Sequence, residues 1–362
     1  MSPLINPKLL QATLLQLSGI LGAGIFVLPY IFNQSNFSFA IFGLFLVVLL
    51  IAQINLFYTD IIAATKGDHQ LAGYAQIYYG PKFKILAIIN FFLLEIGSLL
   101  AYVVLAANFL QAIFPSLSLL TSSLIFFTLI AIFHLSRFKI LKRYYQVIPF
   151  LALFFVLILF STALNLPPTP QQFISPNWLF FGPLVFALTG FTIIPEVEEV
   201  LRSSSGKNKL VKIASLSGLV LAALIYLIFS FSLNRLSGLT PSPDSVTNLV
   251  PTFPLLARLL SVLGLFLVFE GALNQLLVFK ETFFRDYHFS EVRAYLLSFL
   301  VFIACYLLIK IPLVTIVSLT GSLTLFLSAL IICLIRLKIS HPPIIILRAL
   351  LILSVFLLAI LA

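Results

Sequence analysis

The chain has 362 residues, of which 61% are hydrophobic and only 9% charged, with a mean hydropathy of +1.17. A soluble globule carries about 45–50% apolar residues, so this composition excludes one and specifies a polytopic membrane protein. The net charge of +10 does not point to a nucleic-acid partner, because the basic residues are dispersed between apolar runs rather than gathered on one face.

Apolar runs of about 20 residues predict eleven spans, near 9–33, 37–64, 85–113, 119–136, 140–164, 178–201, 209–233, 252–280, 290–310, 312–336 and 342–361. The first has no short apolar core ending in a small-residue cleavage site and continues past Pro29, so it reads as a retained helix rather than a signal. One set of alternate ends holds Lys8, Lys66, Lys82, Lys84, Arg137, Lys139, Lys142, Arg143, Arg202, Lys207, Lys209, Lys212, Lys280, Arg285, Arg293, Arg336, Lys338 and Arg348. The other set holds Arg235, Arg258 and Lys310. The positive-inside rule then predicts a multi-pass protein of the cytoplasmic membrane with its N-terminus in the cytoplasm and its C-terminus outside.

The first span contains Ser18-Gly19-Ile20-Leu21-Gly22-Ala23-Gly24-Ile25-Phe26-Val27-Leu28-Pro29-Tyr30. Each of its three glycines costs about 1 kcal/mol of helix propensity. In hydrocarbon, freed main-chain groups have no water to bond, so a break survives only against a cavity or a ligand. The helix is expected to unwind near Ser18 to Gly22 and restart near Ala23. The restarting half would offer N–H groups to a carboxylate, and the first half carbonyls to an ammonium or a small cation. Close helix packing on small residues is the competing explanation of the same glycines.

Between spans 2 and 3, Thr65 to Pro81 reads as an amphipathic helix in the membrane interface, with His69 solvated. Span 3 carries Glu95, and span 8 carries Glu270, Gly271 and Asn274. A carboxylate deep in a membrane segment is a functional candidate by default, although a hydrogen bond to a neighbouring helix also accounts for one. Span 6 repeats the pattern of span 1, with Gly190 and Pro195 bracketing a second expected break in Phe186-Ala187-Leu188-Thr189-Gly190-Phe191-Thr192-Ile193-Ile194-Pro195. Glu196, Glu198 and Glu199 then fall in the positive first turns of the restarting helix. The two cysteines, Cys305 and Cys333, read as packing residues.

Interrupted spans thus occupy the first place in two successive sets of five. This is the pattern of an all-α inverted-repeat transporter with its site at the midplane. The repeats would cover residues 1–164 (spans 1 to 5) and 178–338 (spans 6 to 10), with 339–362 as an added eleventh helix.

The stretches Gly22 to Tyr30, Thr65 to Gly80, Phe181 to Glu199 and Lys280 to Asp286 resemble the amino acid/auxin permease family and the bacterial tryptophan/tyrosine permeases. Both lie in the amino acid-polyamine-organocation superfamily, which has the LeuT fold. The resemblance implies an amino-acid site between the breaks, with the Ala23 to Ile25 amides at the carboxylate and carbonyls of spans 1 and 6 at the ammonium. Candidate substrate residues are Ser18, Gly19, Gly22, Ala23, Gly24, Ile25, Tyr102, Phe186, Ala187, Thr189, Gly190 and Phe191. Tyr102, Phe186 and Phe191 are expected to line the side-chain pocket. Sodium-coupled relatives carry a span 8 hydroxyl pair where this chain has Glu270 and Gly271, which counts against a sodium site built that way.

The sequence therefore predicts a secondary active transporter taking up a neutral amino acid, aromatic and branched ones included. Protons rather than sodium would drive it, with Glu270 as carrier and Glu95 as the second choice. A sodium-coupled symporter and a non-transporting amino-acid sensor or subunit are the alternatives. No cofactor, metal or nucleic-acid partner is implied. Nor is enzyme chemistry, since no nucleophilic triad or phosphate-binding loop occurs in the chain.

Overall fold

The computed structural model describes residues 6–135, 147–167, 175–238, 241–281, 289–308, 311–340 and 342–361. The basic residues between 137 and 143, Arg285, Lys310, and the part of the Lys280 to Asp286 stretch beyond Glu281 lie outside these, as do the side chains of Asn274 and Cys305.

Among the described residues fifteen α-helices run in order: α1 Pro7–Ile20, α2 Gly24–Gln34, α3 Phe37–Ala64, α4 Leu71–Tyr79, α5 Pro81–Ile113, α6 Leu119–Leu135, α7 Val147–Leu164, α8 Phe181–Leu188, α9 Ile194–Leu201, α10 Lys207–Leu236, α11 Pro254–Glu281, α12 Glu291–Leu308, α13 Leu313–Leu319, α14 Leu325–Ile339 and α15 Pro343–Leu361. Among the described residues six segments are long and apolar enough to cross a membrane, and a seventh is the pair α1 and α2, bent by 62°. The remaining apolar runs of the sequence are helical over their described residues in α6, α7, α12 and α15.

Local chemistry sets several boundaries. Asn6 caps α1 by accepting from the Lys8 amide at 3.0 Å, with Pro7 in the first turn where its missing N–H costs nothing. Gly80, at φ 85°, ends α4 and starts α5, a left-handed conformation that favours glycine over any side chain, and Pro81 follows it into the helix. One irregularity has no sequence signal behind it: Thr320–Thr324 is a π-helical turn joining α13 to α14. Such turns are rare and occur often at functional sites.

The helices form one bundle. α1 and α2 pack along α10, α5 along α11, and α8 against α2, α3 and the π-helical turn. Large apolar side chains such as Phe42, Phe45, Leu120 and Leu347 point outward from it, as a lipid-facing surface requires.

At the end rich in basic residues, Asp60 on α3 joins Lys212 of α10 at 2.6 Å and Arg336 of α14 at 3.1 Å. Glu198 on α9 pairs with Lys207 at 2.9 Å and Arg202 at 3.2 Å, and Arg202 reaches Asp68 at 2.9 Å. Glu198 therefore serves an ion-pair cluster rather than capping α9. His69 lies on an exposed turn beside the Lys66 carbonyl. At the opposite end, the 241–253 segment is held by Asp244, whose carboxylate accepts from the Val246 and Thr247 amides and from the Ser242 and Thr247 hydroxyls. Its Ser245 hydroxyl donates to the Phe26 carbonyl of α2.

Candidate functional site

The first break is shorter and later than its glycines predict. Ser18 and Gly19 remain inside α1, because the Leu21 amide still donates to the Leu17 carbonyl at 2.9 Å. Gly19 is kept helical by packing, since a Cβ there would lie 3.1 Å from Ile193 of span 6. The helix is lost only over Leu21, Gly22 and Ala23, and restarts at Gly24.

Within the break, the Ile25 amide turns back to the Gly22 carbonyl at 3.4 Å and the Phe26 amide to the Ala23 carbonyl at 3.2 Å. Among the described residues no hydrogen-bond acceptor accompanies the Ala23 and Gly24 amides. These two donors at the head of α2, rather than the three from Ala23 to Ile25, are left without an acceptor, as the first amides of a helix are. Gly24 also lies against span 6, where a Cβ would come 2.5 Å from Ala187 Cβ. Packing and exposed amides therefore share one glycine, and the two explanations of the Gly cluster are not exclusive. α2 is fixed from outside by Asn234 of α10, whose Nδ2 donates to the Pro29 carbonyl at 3.0 Å, and by Ser245.

The second break comprises Thr189 and Gly190, followed by a 3-10 turn at Phe191–Ile193 and then α9 with Pro195 in its first turn. Several of its polar groups have partners inside the protein. The Thr189 hydroxyl donates to the Val185 carbonyl of its own helix at 2.7 Å. The Gly190 carbonyl accepts from Gln16 Nε2 of α1 at 2.8 Å. The Ala187 carbonyl accepts from the Tyr226 hydroxyl of α10 at 3.1 Å, and the same hydroxyl donates to the Ile20 carbonyl of α1 at 2.7 Å.

Tyr102 of α5 stands between spans 1 and 8. Its hydroxyl lies 3.4 Å from the position of a Gly22 Cβ and 2.7 Å from that of a Gly271 Cβ, so the bare glycine of α11 is what admits the phenol. Glu95, two turns earlier on α5, and Glu270, next to Gly271 on α11, both interact electrostatically with Tyr102. Glu95 is buried and its Oε2 has no hydrogen-bond partner among the described residues; Glu270 is half-buried. Ser18 is also buried with its hydroxyl unpartnered.

The three aromatic candidates do not form one pocket wall. Tyr102 faces Gly22 and Gly271, while Phe186 lies by the π-helical turn, its Cβ 3.0 Å from the position of a Gly321 Cβ. Phe191 is buried edge-to-face on Tyr58, which in turn meets Tyr74 of α4, at ring separations of 5.8 and 5.9 Å. Sequence reasoning missed Tyr226 and Gln16, which hold the two breaks together. The signal available was a polar side chain in an otherwise apolar span, which seeks a partner on a neighbouring helix. Among the described residues, no group of three His, Cys, Asp or Glu side chains could hold a metal ion.

Among solved structures the chain is similar to Mhp1, a nucleobase-cation-symport-1 family transporter in a closed conformation with bromovinylhydantoin bound. The identity is 13%, the match covers 98% of this chain and 93% of that one, and the TM-score is 0.65. It is also similar to MhsT in complex with L-phenylalanine, at 14% identity, 97% of both chains and a TM-score of 0.69. A third similar structure is the Eremococcus coleocola manganese transporter, at 13% identity, 95% and 84% coverage and a TM-score of 0.61. At these identities the likeness establishes the fold, a LeuT-type arrangement with discontinuous first and sixth spans. A search of curated proteins finds no match. The family model of transmembrane amino acid transporter proteins matches residues 6–361, and with that coverage, carried by a bundle whose two broken helices meet at its centre, the chain belongs to the transmembrane amino acid transporter family.

Proposed function

We propose that this multi-pass membrane protein is a secondary transporter that carries a neutral amino acid into the cell with protons. The observation that carries the reading is the pair of unpartnered amides at Ala23 and Gly24. They sit at the positive end of α2, where an amino-acid carboxylate would gain two charge-assisted hydrogen bonds. The L-phenylalanine bound to MhsT supports an amino acid as cargo, and the Tyr102 hydroxyl stands by the first break, 3.4 Å from the position of a Gly22 Cβ.

Proton coupling is supported by two carboxylates on the helices flanking Tyr102, Glu270 on α11 and Glu95 on α5. A carboxylate in a low-dielectric setting can load and release a proton as its exposure changes. Gly271 is filled by a tyrosine ring where a hydroxyl pair would be needed for sodium, which favours protons over sodium. The distribution of basic residues supports a cytoplasmic N-terminus and an outer C-terminus in the cytoplasmic membrane. We take residues 1–164 and 178–338 as the two repeats and 339–362 as the added helix.

The test is uptake into proteoliposomes of a panel of labelled amino acids, with and without an imposed pH gradient. The expected result is accumulation of at least one neutral amino acid that collapses with the gradient and ignores sodium. Sodium-dependent accumulation would remove the proton reading. Binding of an amino acid without flux would identify a sensor instead of a transporter.

A further inference from the structure

Tyr226 lies midway along α10 and is fully buried. Its hydroxyl meets two carbonyls, Ile20 at 2.7 Å and Ala187 at 3.1 Å. Ile20 is the last residue of α1 and Ala187 the penultimate residue of α8. Both carbonyls thus belong to the last turn of a helix that stops in the middle of the bundle. There they lack an intrahelical donor and carry the negative end of the helix dipole. Two such ends converging on one point, away from water, form the kind of place that elsewhere in membranes holds a bare cation by its carbonyl ligands.

A phenol supplies one proton, which it must share between the two oxygens. That share of positive charge is what keeps the ends of two broken helices adjacent without mutual repulsion. We propose that the Tyr226 hydroxyl is a built-in, neutral replacement for a cation at the junction of the two breaks, so that spans 1 and 6 are held together here without an alkali ion. Tyr226 is on this account a positioning residue. It also reserves the Ile20 and Ala187 carbonyls, so a substrate ammonium must be received by other groups of the breaks. The inference rests on the proposed function only for its transport arm, because the junction itself is a matter of folding.

The experiment uses the full chain in detergent, with thermal unfolding followed in choline, sodium and lithium chloride at equal ionic strength. Wild type is expected to unfold at the same temperature in all three. Tyr226→Ser, which removes the donor and opens space, is expected to unfold earlier in choline and to be restored saturably by sodium or lithium. Tyr226→Phe, which loses one oxygen atom and keeps the ring, is expected to reduce uptake roughly tenfold or more, because two buried carbonyls are left unpaired. Cation-dependent stability in wild type, indifference of Tyr226→Ser to alkali ions, or wild-type uptake by Tyr226→Phe would each overturn the proposal. Absence of uptake by wild type would instead count against the transport reading and leave the unfolding result standing.

Discussion

The two breaks are held in different ways. The first leaves main-chain donors unpartnered: α1 and α2 are separated by three residues and bent by 62°, and the Ala23 and Gly24 amides have no acceptor among the described residues. The second has more of its groups bonded from within: the Thr189 hydroxyl returns to Val185, the Gly190 carbonyl accepts from Gln16 and the Ala187 carbonyl from Tyr226, while the Gly190 amide has no acceptor among the described residues. An unpaired buried amide or carbonyl costs about 1–3 kcal/mol, so each bond that the second break receives from α1 and α10 helps to hold it in place. On the proposed reading the ligand's anchor sits on span 1, and span 6 is the surface against which that anchor is set.

Six substitutions test this division and the proposed carrier, beginning with the largest expected effect. Gly24→Val puts a branched side chain where even a Cβ lies 2.5 Å from Ala187, so it should part the two breaks and lower uptake at least 100-fold, about 2.7 kcal/mol. Gly22→Ala meets only the Tyr102 hydroxyl at 3.4 Å and should lose less than roughly tenfold, or about 1.4 kcal/mol. Equal losses at the two positions, measured as labelled uptake normalised to inserted protein, would show that close packing on Ala187 adds nothing.

Next in size is the carrier. Glu270→Gln should lose most proton-driven accumulation, about tenfold or more, yet retain counterflow exchange, because a neutral side chain imitates the loaded state without cycling. Glu95→Gln, assayed beside it under the same pH gradient, should keep accumulation. The reverse outcome would move the role to Glu95.

A smaller effect is expected from Gln16→Ala, which strips the Gly190 carbonyl of its donor and should cost roughly 1–3 kcal/mol of stability. Thermal unfolding in detergent reads it, and an unchanged midpoint would mean that the second break does not depend on α1 for its sealing. The smallest belongs to Thr189→Val. Its hydroxyl is spent on its own helix, so KM for the substrate should change by less than about threefold, or about 0.6 kcal/mol. A large rise in KM would put Thr189 in contact with the substrate and make the second break a ligand surface as well.

Much of this molecule was legible in its sequence, because hydrocarbon imposes few choices. Apolar length determined where the helices run, and charge asymmetry marked which helix ends share one side. The glycines of span 1 and the Gly190 to Pro195 stretch of span 6 located both breaks to within a few residues. Glycine and proline act on the main chain locally, so their effect needs no knowledge of neighbours. Which groups the breaks leave free was a different matter. Ser18 and Gly19 stayed helical because Ile193 packs on the glycine, Gly24 proved to be a contact as well as a donor, and Phe191 went to the Tyr58 cluster instead of to Tyr102 and Phe186. Tyr226 and Gln16 stood out only as polar side chains in apolar spans, with no sign of which groups they meet, and the π-helical turn at Thr320–Thr324 gave no local warning. Each depends on a partner more than 100 residues away or on the fit between neighbouring helices, and a hydrogen bond between distant helices exists only once packing has brought its donor and acceptor within about 3 Å.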